Sequence, residues 1–246
     1  MQDLLAKTGH RPWPVPDRRW IMRMRWDDLA FLHFPVAPAS VQAQLPAGVE
    51  LEHYDGSAWL GVVPFRMEGV AARWLPAIPG TRRFLELNLR TYVRVRGRPG
   101  VWFFSLDASN PLAVRAARIG FSLPYYDSRM SADGGRCIHY HSRRHHLGVV
   151  PGVFDAVYEG QGQEFHAQSG SFEEWLTERY CLFSANCDGE IFCGHVHHRP
   201  WTLQRCAVEI RRNTLGNLIG VALGETPTHA LFARSLQVVA WAPEPA

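Results

Sequence analysis

Lysine is almost absent from this sequence. Lys7 is the only one in 246 residues, and the other 25 of its 26 basic side chains are arginine. Beyond the first few residues there is no primary side-chain amine, so chemistry that runs through a lysine imine has no nucleophile in the body of the chain. Cysteine is sparse too: Cys137, Cys181, Cys187, Cys193 and Cys206 are odd in number and irregularly spaced, which excludes a small disulfide scaffold. No run approaches the ~20 apolar residues of a membrane span. Met1–His10 contains Asp3 and Lys7 and has no apolar stretch of signal-peptide length, so a reducing cytoplasm is expected. Phosphate loops, dinucleotide fingerprints and nucleophile elbows are missing. The net charge is only +3, its arginines are scattered, and Arg143-Arg144-His145-His146 reads as a solvated loop. Neither a nucleic-acid nor a membrane partner is expected.

What is present is an apolar, aromatic chain of ordinary globular composition, 46% hydrophobic with nine Trp, which excludes disorder. Residues 1–19 read as an extended leader, because the prolines of Arg11-Pro-Trp-Pro-Val-Pro16 fix φ and disfavour helix before them; Trp13 is its anchor. Residues 20–246 are expected to form one domain. Alternation marks strands at Trp20–Trp26, with Trp20, Met22, Met24 and Trp26 on one side, and at Phe84–Arg96. In the second, Leu85, Leu87, Leu89, Thr91, Val93 and Val95 share one face and Phe84, Glu86, Asn88, Arg90, Tyr92 and Arg94 the other. A further apolar stretch covers Leu29–Val36, and a short helix is expected over Ser40–Leu45.

Asp55-Gly56 predicts a hairpin between Leu51–Tyr54 and Ala58–Met67, Asp133-Gly134-Gly135 one between Tyr125–Met130 and Arg136–Arg143, and Asp188-Gly189 a third between Tyr180–Ala185 and Glu190–His198. Val101–Asp107 is apolar on both faces, as a strand covered on both sides would be. Asn110 with Pro111 starts a helix that Gly120 should stop, and Ser171 with Glu174 forms a capping box before Phe172–Leu176. Ala71–Thr81 reads as a loop, and late strands are expected at Cys206–Arg211 and Leu231–Trp241. Strands outnumber helices, and a single barrel-like domain is the simplest arrangement.

Four segments, Tyr54-Asp-Gly-Ser-Ala-Trp-Leu-Gly-Val-Val-Pro-Phe65, Glu86-Leu-Asn-Leu-Arg-Thr-Tyr92, Gly100-Val-Trp-Phe-Phe-Ser-Leu-Asp107 and Leu123-Pro-Tyr-Tyr126, resemble the uncharacterised YqjF-like proteins. Leu176-Thr-Glu-Arg-Tyr-Cys181 and His197-His-Arg-Pro-Trp201 extend the resemblance from about Trp20 to Trp241. More distantly, that family resembles the acetoacetate decarboxylase-like superfamily. The resemblance implies a mainly β, α+β fold: a closed, cone-like antiparallel β-barrel with a few short helices around a small-molecule pocket. In the decarboxylases an acidic strand residue precedes a strand, a helix and a Pro-Lys-Lys segment whose lysine forms a Schiff base. On that order of elements the acid falls at Glu86 and the lysine pair at Tyr125 and Tyr126. A phenol cannot form an imine, so the resemblance implies the scaffold without its lysine chemistry.

Candidate catalytic residues are therefore Glu86, Tyr125 and Tyr126, and adjacent tyrosines on a strand face opposite ways, so at most one can enter a given pocket. Asn88, Arg90 and Tyr92 share the face of Glu86. That row either clamps an anionic or keto-bearing ligand through the Arg90 fork or forms an ion-pair ladder. Glu178, Arg179, His198 and Trp201 are further ligand-contact candidates. Whether the chain is an enzyme using acid–base chemistry or a non-catalytic binding or sensing module stays open. Two segments read Cys-x-His-x-His, Cys137-Ile-His139-Tyr-His141 and Cys193-Gly-His195-Val-His197, and suit zinc chemically. Three donors along one straight strand span about 13 Å, too far to meet at one ion, unless the two hairpins converge. No cofactor and no metal are expected; edge strands leave a homo-oligomer open.

Overall fold

The computed structural model describes residues 2–74 and 82–246. Among the described residues the strands are β1 (Met22–Val36), β2 (Glu50–Leu51), β3 (Ala58–Ala72), β4 (Arg83–Val95), β5 (Arg98–Ala108), β6 (Tyr125–Ala132), β7 (Ile138–Arg144), β8 (Val153–Phe165), β9 (Cys181–Ala185), β10 (Ile191–His197), β11 (Leu203–Asn213), β12 (His229–Ala240) and β13 (Glu244–Pro245). The helices are α1 (Gln2–Ala6), α2 (Pro38–Gln42), α3 (Pro111–Phe121) and α4 (Phe172–Thr177), with a 3₁₀ turn at Leu215–Ile219. The protein is thus mainly β with a few short helices.

All strands belong to one sheet whose order runs β5–β6–β7–β8–β11–β12–β1–β3–β4, and β4 pairs back onto β5. A branch, β5–β9–β10, returns to β12 through Val196↔Ala240 and His197↔Val239. The two faces of β4 show why the ladder stays together. Leu85, Leu87 and Leu89 are buried with Leu32, Leu60 and Phe154 on one side, while Phe84 and Tyr92 join Met24, Phe31 and Phe65 on the other. Each buried side chain of this size stabilises the fold by about 1.5–3 kcal/mol, so slipping β4 by one residue would exchange two apolar cores at once.

Several expectations need correction. The sheet is not wholly antiparallel: β5 runs parallel to β6, because α3 carries the chain back across the sheet before β6 begins, and it also runs parallel to β9. The two stretches expected separately at Trp20–Trp26 and Leu29–Val36 are one strand that begins at Met22, with a register shift where Asp28 adopts a φ of 54°. The Asp55-Gly56 turn forms, with Tyr54 and Ser57 exchanging backbone hydrogen bonds, yet Leu51 pairs with Val93 of β4 rather than with β3. Helix α3 is capped by Asn110, whose side chain accepts from the amides of Leu112 and Ala113. It passes through Gly120 to end at Ser122, which takes the left-handed conformation that stops it.

Strand β8 went unread because Val153–Phe165 turns polar over its second half. The expected Ala71–Thr81 loop lies mostly outside the described residues, and Ala71 and Ala72 still belong to β3. The leader is not extended throughout: residues 2–6 form α1, and Leu4 packs with Trp20, Val239 and Trp241.

Candidate functional site

Strand β4 also shapes the cavity. Its side chains alternate, so the face opposite Leu85, Leu87 and Leu89 presents Phe84, Glu86, Asn88 and Arg90 to an internal space of about 530 Å³. A further wall comes from β1, where Met22, Met24 and Trp26 keep the alternation read from the sequence and, past the irregularity at Asp28, Leu29 and Phe31 face the same cavity. Helix α3 covers one side with its small residues Ala113, Ala116 and Ala117. Tyr125, Thr177, Arg179, His198 and Trp201 complete the polar and aromatic lining. A volume of this size, walled mostly by apolar groups with a few polar ones, matches small-molecule sites in general.

Glu86 and Tyr125 meet at the centre. The Tyr125 hydroxyl donates to Glu86 Oε2 at 2.9 Å, and both residues are almost wholly buried. Burial disfavours the carboxylate and pushes the Glu86 acid up to about 8, opposed by the Tyr125 hydrogen bond. At neutral pH most of Glu86 is therefore a neutral acid, able to donate a proton or a hydrogen bond. Burial, with the adjacent Glu86 charge, holds the Tyr125 phenol well above its usual range, so it acts as a donor. Tyr140, reaching in from β7, donates to the Glu86 carbonyl at 2.8 Å and fixes the backbone there.

Tyr126, one residue on, faces the other way. Its ring lies beneath the guanidinium groups of Arg144 and Arg118, 5.1 and 5.8 Å from the centroid. Beneath it Arg144 pairs with Asp107 at 2.6 Å, both side chains fully buried. Tyr126 belongs to that structural ion pair, and the cavity receives Tyr125 alone. Tyr92 also turns out to be structural: its hydroxyl hydrogen-bonds His33 at 2.6 Å in the core and it does not line the cavity. Arg94, at the end of the same face, pairs with Glu52.

Two guanidinium groups border the cavity with unused capacity. Arg90 donates to the Leu176 carbonyl at 3.2 Å, and its Nε has no partner. Arg179, positioned just after α4, donates to Glu52 Oε2 at 2.5 Å and to the Trp175 carbonyl at 2.6 Å, and its Nη2 has no partner. Asn88 Oδ1 and Trp26 Nε1 are likewise buried without one. Such groups cost free energy unless a ligand or water meets them.

Glu178 lies outside the cavity lining. One oxygen accepts from the Trp201 amide at 2.9 Å and the other from the Tyr180 hydroxyl, and burial raises its acid. His198 does line the cavity, stacked on Tyr180; burial lowers it to about 4 and keeps it neutral. Trp201 is fastened by its indole N–H to the Thr177 carbonyl at 2.9 Å. Glu86, Asn88 and Arg90, read from the sequence as one face, line the cavity together, whereas the β1 methionines and the α3 alanines were not read as part of a site. Their signal lay in the Met22–Met24–Trp26 alternation and in the small residues of the Pro111–Phe121 helix.

Of the two Cys-x-His-x-His segments, the first disperses, with Cys137 and His139 exposed and His141 paired to Asp155. In the second, His197 turns to Arg11 and to the Leu4 carbonyl.

The model of the DUF2071 family, described as an uncharacterized conserved protein, matches residues 23–237. An uncharacterized protein, YqjF, from Bacillus subtilis (strain 168) is 41% identical over 228 residues, covering 92% of this chain and 93% of that protein. Among solved structures, an acetoacetate decarboxylase from Legionella pneumophila superposes with a TM-score of 0.62 at 12% identity, over 97% of this chain and 93% of that one. An acetoacetate decarboxylase-like enzyme from Sphingomonas wittichii RW1 gives 0.64 at 12%, over 96% and 98%. The enduracididine biosynthesis enzyme MppR, complexed with pyruvate, gives 0.62 at 12%, over 97% and 94%. At that identity the solved structures establish an acetoacetate decarboxylase-like fold, while the family match and the YqjF similarity span nearly the whole chain: the protein belongs to the DUF2071 family.

Proposed function

We propose that this protein holds an organic acid or keto compound with a sizeable apolar body in its internal cavity. The domain, residues 20–246, is a closed cone-like barrel acting in the cytoplasm. The observation that carries the reading is one cavity of about 530 Å³, walled mostly by apolar side chains, to whose lining Glu86, Asn88, Arg90 and Arg179 contribute polar residues. A carboxylate or keto oxygen would be held by the guanidinium groups of Arg90 and Arg179, and the methionines, Phe31 and the α3 alanines would take the apolar remainder. Two of the structural neighbours point to the same class by name, one being a decarboxylase of acetoacetate and another being bound to pyruvate.

The chemistry differs from that of a Schiff-base decarboxylase. Lys7, the sole lysine, is exposed, pairs with Asp3 and does not line the cavity, and Tyr125 and Tyr126 stand where the superfamily's lysine pair falls. If the bound compound reacts, Glu86 as a buried neutral acid and Tyr125 as its hydrogen-bond partner are placed to protonate or polarise a ligand oxygen. Without a reaction, the same pair orients the ligand in a binding or sensing module.

A thermal-shift series of aliphatic carboxylic and 2-keto acids of increasing chain length, each beside its primary amide, tests the reading. Acids that bind should raise Tm with concentration while their amides do not. Arg90→Met should remove the shift, Arg90→Lys should retain part of it, and Arg212→Met, on an exposed stretch of β11, should leave it unchanged. Equal shifts with acids and amides, or none across the series, would overturn the proposal.

A further inference from the structure

A second cluster lies on the far side of the sheet. Leu182 of β9 and Val196 of β10 line the cavity, so their neighbours Cys181 and His195 face away from it, together with Cys193. Antiparallel pairing sets Cys181 directly opposite His195, and Cys193 is two residues from His195 on the same face. The result is a triangle of donors. Cys181 Sγ and Cys193 Sγ are 3.1 Å apart, His195 Nδ1 is 3.8 Å from Cys181 Sγ and His195 Nε2 is 3.7 Å from Cys193 Sγ. Taking one ligand atom from each residue, all three lie within 4.8 Å of one another, and all three residues are buried. The objection that donors spaced along one strand cannot converge is met by the hairpin, since the third donor comes from the strand across the Asp188-Gly189 turn.

We infer that Cys181, Cys193 and His195 form a binding site for a zinc ion, which nothing in the fold's organic-ligand cavity requires. The imidazole is already oriented for it. Glu244 Oε1 lies 2.8 Å from His195 Nε2; accepting the Nε2 proton, it leaves the Nδ1 lone pair free on the side of Cys181 Sγ. A carboxylate holding the far nitrogen of a metal-binding histidine is a recurrent outer-shell device that fixes the tautomer and strengthens the ligand.

Cations stand ready for the thiolates. Two thiolates and Glu244 bring three negative charges, set against Zn²⁺, Arg98, whose Nη1 lies 3.4 Å from His195 Nε2, and Arg18, which pairs with Glu244 at 3.0 Å. Binding releases the thiol protons to solvent and involves no oxidation. Zinc–sulfur bonds of about 2.3 Å at tetrahedral angles put two sulfurs ~3.8 Å apart, so the thiols, 3.1 Å apart, need to separate by about 0.7 Å. Three protein ligands leave a fourth position for water, and the carboxylate strand β13, paired to Phe192 and Cys193, sits at its margin.

The test is the purified, reduced full chain. Zinc dialysed into it, with excess removed, should remain at one equivalent per chain by elemental mass spectrometry. Cobalt in place of zinc should give the near-ultraviolet thiolate-to-metal band and the visible bands of a tetrahedral site. Cys181→Ser and Cys193→Ser should each lose the thiolate band's intensity, and His195→Gln should weaken retention; Cys187→Ser, on an exposed turn residue, should change nothing. Because these positions are buried, each variant is checked for cooperative unfolding, and Glu244→Gln supplies a measurement that leaves the ligands intact. It should weaken zinc about 10–100-fold in a chelator competition without altering stoichiometry. Folded wild-type protein that retains no zinc and shows no cobalt band would overturn the inference. So would a Cys181–Cys193 disulfide persisting under reducing conditions, or cobalt spectra unchanged by both cysteine substitutions. The acid series with Arg90 reports on the cavity alone, so the two readings fail separately.

Discussion

Glu86 illustrates how burial changes what a residue is. In the unfolded chain its carboxyl loses a proton near 4.5, while in the folded protein burial holds the proton until about pH 8. Unfolding between those values therefore releases a proton, and stability falls as pH rises from about 4.5 to about 8, then levels off. Glu86→Gln keeps an acceptor for the Tyr125 hydroxyl and removes the titration. The variant should lose this part of the decline and be more stable than wild type at pH 8, by an order of magnitude of 3–5 kcal/mol. Urea unfolding across pH 5–9 measures it, and parallel curves for the two proteins would show that Glu86 is ionised in the folded state. The sequence disclosed Glu86, Asn88 and Arg90 as one face through simple alternation. It could not separate Tyr125 from Tyr126, because which of two adjacent side chains faces inward depends on strand β6 lying parallel to β5, a pairing made through a helix.

At the scale of elements, β5 is held by several neighbours. Leu106, Asp107 and Ala108 pair with β6 and Val101 and Trp102 with β9, and Gly100 lies where β9 approaches. A Cβ there would stand 2.5 Å from Phe183 Cε2 and 2.7 Å from the Cys181 carbonyl oxygen. A ring can rotate, but the backbone carbonyl can move only if β9 shifts. Gly100→Ala should therefore destabilise by about 1–3 kcal/mol or more in urea unfolding. Gly134→Ala, where a Cβ meets nothing within 4 Å, should stay within about 0.5 kcal/mol. A silent Gly100→Ala would mean that β9 is not docked against β5 as described. Elements carrying local signals were legible: the Asn110-Pro111 helix start, the Ser171–Glu174 capping box and the Asp188-Gly189 hairpin all depend on chemistry within a few residues. The ones misread needed distant information. Strand β8 has a weak apolar pattern and is held by β7 and β11, and Leu51 follows β4 rather than the neighbouring strand its turn suggests.

For the molecule as a whole, the sequence showed that the chain is mostly strands and hid how they are ordered. Alternation assigns inner and outer faces along a strand but says nothing of which strand lies beside it. Strand β12 shows the difference. Its expected span, Leu231–Trp241, was close to the observed one, while its partners lie at both ends of the chain: it pairs with β1 from Met22↔Ala240 to His33↔His229, with β11, and with β10. Ending the chain after Thr228 removes all three pairings and uncovers Ala30, Leu32 and Phe34, buried in the intact protein. The truncated chain should lack a cooperative thermal transition and expose apolar surface to a hydrophobic dye, whereas a sharp transition would show that the remaining sheet is self-sufficient. The same pairing bears on biosynthesis. Strand β1 leaves the ribosome about two hundred residues before its β12 partner, and at ordinary elongation rates of about 5–20 residues per second that is a wait of roughly ten to forty seconds. Throughout that interval one edge of the nascent sheet has no native partner, so its unpaired backbone groups stay open to wrong strands until the last strand arrives.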